Sequence, residues 1–299
     1  MFNCFILFFL CSISTYTEEN RSLFVWSSVF SILTTGVIFH TYIDFNSLIN
    51  SDRVFLSVGR TIDPNALSTN FCIAFAGIFE IYNTNQSKLV KLYLLLSTFI
   101  LSVIVFLLAS RGAILGLIAI CVVNFILRNK TNLKCLFLSL LASFLIITTL
   151  LSVISSTDLF PSRKLERYEL QKILESKGSG RIPIWKNTLN NYFYNLSIKE
   201  VVFGTGFGTF MDVSPIRRES HNIYLNTLIE SGFLGFLLFI LFIFYCLKNA
   251  YLTKDYFAFS ALIGLCICGL SLEMGTLRVF WITLWLCNLR KTDIVIPNH

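Results

Sequence analysis

Charge is scarce in this chain. Asp, Glu, Lys and Arg make up 14% of its 299 residues, hydrophobic residues make up 55%, and the mean hydropathy is +0.71. A soluble globular domain carries roughly 25% charged residues, so this composition excludes an ordinary water-soluble fold and makes lipid the solvent. The N-terminus lacks the basic n-region of a secretory signal, and Glu18 and Glu19 follow its first apolar run where a small-residue cleavage site would stand. A retained span, or the remnant of a longer N-terminal region, is the expectation there. The long hydrophilic stretch has no cysteine. Cys4, Cys11, Cys72, Cys121, Cys246, Cys266, Cys268 and Cys287 lie inside apolar runs and Cys135 at the edge of one, so they read as small hydrophobes rather than as a disulfide framework. Cys266 and Cys268 lack the companions that a metal site requires.

What the chain does have is apolar runs, at 2–16, 23–39, 67–82, 89–109, 113–127, 133–154, 233–252, 256–272 and 277–289. Several fall short of the about 20 residues that cross a hydrocarbon core, so tilted extensions are expected. The expected fold is an all-α polytopic membrane protein with about nine transmembrane helices and one large outward loop containing short helices. It divides into N-terminal spans at 1–154, the loop at 155–231 and C-terminal spans at 232–299. The net charge of +7 and the 30 Phe residues then describe a protein that meets anionic headgroups and lipid tails, with no nucleic-acid partner.

The short loops set the orientation. Lys88 and Lys91, Arg128 with Lys130 and Lys134, Lys248 with Lys254, and Arg290 with Lys291 all fall on one side if the spans alternate. The positive-inside rule makes that side, and the C-terminus, cytoplasmic. The 155–231 loop, the 43–66 loop and the Ser110-Arg111-Gly112 turn then face outward together.

The loop carries structure of its own. Charges and apolar residues alternate over 162–177 before Gly178, which reads as an amphipathic helix with a glycine stop. Ile184, Trp185, Leu189 and Tyr192 mark a second, aromatic helix of the kind that lies at headgroup level. The glycines of Gly204-Thr205-Gly206-Phe207-Gly208 have no βαβ context and read as a tight turn rather than a nucleotide cradle. Asp63-Pro64-Asn65 reads as a helix-entrance turn, Glu80 as structural, and Glu273 and Arg278 as a pair across the last hairpin.

Three residues stand out for chemistry. His221 follows Ser220, which reads as a helix N-cap, so free amides and the helix dipole favour an anion and a neutral, proton-accepting imidazole there. A surface histidine on a wet loop is the alternative. Asn222, Asn226 and Glu230 follow at helical spacing as a polar stripe. Arg111 lies between apolar segments, where an unpaired charge at depth costs roughly 2.5–3.5 kcal/mol. It either snorkels to the interface or grips a phosphate at the outer leaflet. Arg181 is either a solvated loop arginine or a second such grip. Arg217, Arg218 and Lys164 are further cations of the loop.

These residues resemble a family. The Asp63-Pro64-Asn65-Ala66 entrance, the Ser110-Arg111-Gly112-Ala113 turn with Leu115-Gly116, Gly180-Arg181 with Trp185, and the Gly204, Gly206, Gly208 turn followed by Ser220-His221-Asn222, Leu225, Glu230 and Gly232 are similar to the O-antigen ligase and O-antigen polymerase superfamily of bacterial envelope glycan assembly. The resemblance covers about 60–252. It implies an inner-membrane glycosyltransferase with a periplasmic loop, working on a glycan donor linked to undecaprenyl diphosphate, with no metal, nucleotide or other cofactor. The acceptor it implies is a sugar hydroxyl, on another glycan or on lipid A core, and a flippase and a chain-length regulator are implied partners. Arg111 and Arg181 match the family arginines implied to bind the diphosphate, and His221 the histidine implied to activate the acceptor. Arg217, Asn222 and Glu230 join Arg111 and Arg181 as candidate substrate contacts. Weak matches outside the family core favour a polymerase over a ligase. A flippase without chemistry is the contrasting class, and its spans would carry the ionisable groups that these nearly uncharged spans lack.

Overall fold

A computed structural model describes residues 18–42, 56–57, 61–128 and 180–289. Among them are helices α1 (Glu18–Tyr42), α2 (Pro64–Thr84), α3 (Lys88–Leu107), α4 (Arg111–Arg128), α5 (Arg181–Asn195), α6 (Ile198–Phe203), α7 (Phe210–Val213), α8 (Ile223–Leu252), α9 (Tyr256–Cys268) and α10 (Arg278–Leu286). Two short antiparallel strands, β1 (Leu56–Ser57) and β2 (Thr61–Ile62), pair Leu56 with Ile62 and Ser57 with Thr61. The apolar runs at 2–16 and 133–154 and the amphipathic helix expected over 162–177 lie outside the described residues. The other seven apolar runs coincide with α1 to α4 and α8 to α10.

Glu18–Ile38, Lys88–Leu107, Arg111–Arg128 and Ile223–Leu252 are each long and apolar enough to cross a membrane. Their outer faces carry Phe30, Leu92, Leu96, Leu115, Val122, Leu237 and Leu241 exposed, as a surface solvated by lipid requires. This is a multi-pass, helical membrane architecture. The last two helices are shorter than the sequence suggests, with 13 residues in α9 and 9 in α10. The reason is the stretch between them, 269–277, which leaves the helix at Gly269 and folds into successive turns.

At the bundle centre lies α2, buried along nearly its whole length from Ser68 to Phe79, which is how a helix that is apolar all round packs. Its start follows from local chemistry. The Asp63 carboxylate accepts from the Asn65 N–H at 2.9 Å and Pro64 occupies the first turn, where no N–H is needed. Small residues bring α4 and α9 together. A methyl on Gly116 would meet the Gly264 carbonyl at 2.9 Å and Cys268 Sγ at 2.7 Å. Cys72 Sγ sits 3.7 Å from Cys268 Sγ, and the described cysteines are free thiols that pack as small core residues.

One end of the bundle is closed by ions. Arg21 of α1 reaches Glu80 of α2 at 2.9 Å and both oxygens of Asp255 at 2.8 and 3.1 Å. Arg128 of α4 pairs with the other Glu80 oxygen, and Asp255 also caps α9. Glu80 is thus structural, as its sequence position implies. The 85–87 turn before Lys88, the end of α4 and the turn holding Lys254 share this end. The C-terminus of α10 joins them through an Asn249–Asn288 hydrogen bond of 2.9 Å.

At the opposite end α5, α6, α7 and the first part of α8 form a cap with its own core of Ile184, Tyr192, Phe210, Val213, Leu225 and Ile229. Trp185 and Leu189 pack against it. The aromatic face of α5 therefore points into the cap and not, as expected, toward headgroups, because α7 and α8 offer it an apolar partner. In α8 the helix is broken at Gly232 (φ 69°, ψ −176°). The outer part, 223–231, belongs to the cap and the inner part to the bundle. Gly204 (φ 87°) touches Gly232 backbone to backbone, an approach that a side chain on either residue would block.

Candidate functional site

The glycine turn is held on α8. The Thr205 N–H donates to the Ile229 carbonyl at 3.1 Å and the Gly206 N–H to the Glu230 carbonyl at 3.0 Å, with Gly204, Gly206 and Gly208 all left-handed. The buried Glu230 carboxylate faces the Gly208 and Phe210 amides and the Asn226 side chain. Its place on the polar stripe thus gives it a job in bracing the turn.

His221 stands just before the outer part of α8, and the helix begins later than the sequence implies. Its N-cap is Asn222, whose Oδ1 accepts from the Tyr224 and Leu225 amides at 3.0 and 3.1 Å. Ser220, the cap expected from sequence, instead accepts from the Asn222 N–H at 3.1 Å. Both residue types cap well. The choice falls to Asn222 because His221 adopts a left-handed backbone (φ 47°), and the Ile223 N–H is taken by the Gly269 carbonyl at 3.0 Å. Non-glycine residues in that region concentrate at functional sites. His221 Nδ1 lies 4.0 Å from Glu219 Oε2, and the imidazole is 39% exposed.

Arg111 is the first residue of α4 and follows another left-handed residue, Ala109 (φ 49°), and a buried Ser110. Its neighbour Gly112 packs so closely on Ser271 that a methyl there would collide with the Ser271 side chain. Arg181 opens α5 after Gly180 (φ 78°). One turn on, Trp185 Nε1 donates to the Ser220 carbonyl at 2.7 Å. Arg111, Arg181 and His221 each make further contacts with neighbouring groups.

Three helix N-termini therefore meet in one corner. The 269–271 segment joins the start of α4 to the start of α8, and the Trp185–Ser220 bond ties the first turns of α5 to the segment that leads into α8. Each N-terminus turns the positive end of a helix dipole outward beside Arg111, Arg181 or His221, and in α8 the Ile223, Tyr224 and Leu225 amides are already taken by Gly269 and Asn222. Such a corner suits a multiply charged anion. Arg217 and Arg218 stand exposed on the loop before Ser220.

The 269–277 turn is the part that sequence reasoning missed. Glu273 does not pair with Arg278. Its Oε1 accepts from the Gly275 N–H at 2.8 Å, its Oε2 is buried without a hydrogen-bond partner, and Arg278 is exposed. Burial pushes the Glu273 carboxyl up to about 7, and the negative charges of Glu230 and Glu219 add to the shift. An acid in a short turn between two apolar helices was the available signal. Beside it a largely apolar cavity of about 460 Å³ runs along α8, lined by Phe207, Ile223, Phe239 and Trp281 and touched by Asn226 and Glu230.

The fold is that of a multi-pass helical membrane protein with a small helical cap at one end of its bundle. Residues 96–240, just under half of the chain, match the family model described as O-antigen ligase, and the matched segment contains Arg111, Arg181 and His221. The matched segment is thus similar to the superfamily of O-antigen ligases and polymerases, whose members are glycosyltransferase-like enzymes. No curated protein matches it.

Proposed function

We propose that this protein is an O-antigen-type polymerase of the bacterial inner membrane, which transfers glycan from undecaprenyl diphosphate to a sugar hydroxyl at the periplasmic face. The observation that carries the reading is the corner where three helix N-termini bring Arg111, Arg181 and His221 together. In this reading Arg111 and Arg181 hold the donor diphosphate. The acceptor hydroxyl oxygen attacks the anomeric carbon, the bond from that carbon to the diphosphate oxygen breaks, and undecaprenyl diphosphate leaves with the electron pair. His221 takes the hydroxyl proton. The guanidinium groups and helix dipoles gain most from charge developing on the leaving diphosphate, which is how such a site lowers a barrier. Asn222 holds the helix start, Glu230 braces the glycine turn at the edge of the acceptor space, and Arg217 supplies outlying positive charge.

The ion-paired end, with its basic turns, faces the cytoplasm by the positive-inside rule, and the cap faces the periplasm. A ligase acting on lipid A core is the second reading, favoured by the description of the matched family. The surface glycan and the lipid-linked glycan pool of a deletion strain separate the two. Single repeats on the carrier identify a polymerase. Full-length chains stranded on the carrier identify a ligase. Absence of outward-facing lipid-linked glycan points to a flippase and removes the enzymatic reading.

A further inference from the structure

His221 has a carboxylate beside it. Glu219 Oε2 lies 4.0 Å from its Nδ1, and Arg111, Arg181 and His221 carry the proposed transfer step without this acid. The loop that holds Glu219 is tied to α5 at both ends. Asn191 Nδ2 donates to the Val213 carbonyl at 2.7 Å, and Trp185 Nε1 to the Ser220 carbonyl at 2.7 Å. Ser220, between the acid and the histidine, is buried. Its Oγ accepts from the Asn222 N–H at 3.1 Å and donates to the Asn222 carbonyl at 3.0 Å. Just beyond, the Ile223 N–H is held by the Gly269 carbonyl. The left-handed turn at His221 is therefore fixed from both sides, and with it the approach of the two side chains.

A neutral imidazole accepts a proton on one nitrogen, and the partner of the other nitrogen decides which. A carboxylate beside Nδ1 favours the tautomer that carries its proton there. Nε2, on the far edge of the ring, is then the acceptor. The same carboxylate steadies the imidazolium that forms when Nε2 takes a proton, against a helix dipole that disfavours it. A separation of 4.0 Å is too long for a direct hydrogen bond, and contacts of this kind are often long until substrate is bound. The other charged groups of the corner are Arg111 and Arg181 at the starts of α4 and α5, Arg217 and Arg218 on the same loop, Glu230 on α8, and Glu273 in the 269–277 turn, on whose carboxyl Glu219 also acts.

We propose that Glu219 is a positioning residue for His221, holding the ring proton on Nδ1 so that Nε2 meets the acceptor hydroxyl. The hydroxyl proton passes to Nε2 as the oxygen bonds the anomeric carbon and the bond to the diphosphate breaks. The cationic ring stays paired with Glu219 until that proton leaves to solvent. The chemistry rests on the glycosyl-transfer reading; the tautomer rests on the Glu219–His221 geometry alone. The chain has three histidines, His40, His221 and His299, so nuclear magnetic resonance of the full-length protein with isotope-labelled histidine, in lipid nanodiscs, follows each ring separately. His221→Asn identifies the signal. The expected result is the Nδ1–H tautomer in the wild type and a shift of the proton toward Nε2 in Glu219→Gln. The titration midpoint falls in that variant by about 0.2–0.7 pH unit, the range that an exposed ion pair allows. The same tautomer and midpoint in both proteins overturn the proposal.

A kinetic readout separates positioning from structural damage. Glu219→Gln lowers kcat about two- to fivefold with the KM for lipid-linked repeat units unchanged. Glu219→Asp, which keeps the carboxylate, recovers part of the loss. In a His221→Ala background the loss vanishes, because no imidazole is left to position. A further loss in that background overturns the proposal. So does a lower donor KM with kcat unchanged, which marks an acid that repels the diphosphate. Inactive His221→Ala with an unaltered spectrum in Glu219→Gln is the failure of this inference alone. Normal glycan transfer by His221→Ala is the separate failure of the glycosyl-transfer reading, and the positioning role falls with it.

Discussion

At one end of the bundle Arg21, Glu80, Arg128 and Asp255 close on one another, each charge answered by a partner on a different helix. At the other end Arg111, Arg181 and His221 stand at the starts of three helices, around a turn whose Glu273 keeps one oxygen without a partner. The first arrangement exhausts its charges in holding α1, α2, α4 and α9 together. The second sets Arg111, Arg181 and His221 at helix starts among the acids Glu219, Glu230 and Glu273, next to left-handed backbone at Ala109 and His221. The contrast teaches where to look for chemistry in a chain this poor in charge. Charges that tie four helices together form a clasp, whereas charges gathered at helix starts around a half-satisfied acid mark a candidate site.

Removing charge should therefore act differently at the two ends. The largest effect is expected from Arg111→Ala and His221→Ala, each lowering glycan transfer by about 10²–10³-fold while the protein stays in the membrane at normal abundance. Near-normal transfer by both variants, measured on lipid-linked repeat units, would remove the corner from the mechanism. Next comes Glu80→Gln, which leaves Arg21 and Arg128 without their shared acid. It should cost about 2–3 kcal/mol of stability, seen as a lower unfolding temperature in detergent, with transfer per folded molecule unchanged. A kinetic defect at full stability would mean that the two ends are coupled.

Glu273→Gln sharpens the comparison through pH. The Glu273 carboxyl is pushed up to about 7, so it gains negative charge as pH rises through that value, beside Glu230 and Glu219 and close to the proposed diphosphate corner. Donor KM in the wild type should rise with pH across this window, and the Gln variant should lose that part of the dependence. Identical pH profiles for the donor KM of the two proteins would show that Glu273 does not sense the donor. The smallest effect belongs to Arg217→Ala. An exposed, screened charge contributes about 0–1 kcal/mol, at most about fivefold in transfer rate. A loss as large as that of Arg111→Ala would promote the 214–220 loop into the diphosphate site.

Much of this was legible in the sequence because it is local. The Asp63 cap, the glycine turn and the cores of seven helices follow from residue type and spacing, and the basic turns already gathered at one end. Arg111, Arg181 and His221 could be singled out because cations and histidines are rare here. What escaped was set by distant contacts. Nothing near residue 112 announces that Ser271 packs on it, and nothing near His221 announces that the Gly269 carbonyl takes the Ile223 amide and shifts the cap to Asn222. The inward turn of the α5 aromatics required α7 and α8 as partners. The missing Glu273–Arg278 pair has the same cause, since Gly275 offers an amide within the turn and leaves Arg278 to solvent.

The break at Gly232 makes the outer part of α8 a gauge rod. Its nine residues, 223–231, extend roughly 14 Å from the break toward His221, and each residue added or removed would move the imidazole about 1.5 Å and swing it by about 100°. Reach and bearing are thus fixed by residue count, so the interval between His221 and Gly232 tolerates substitution far better than a change in length.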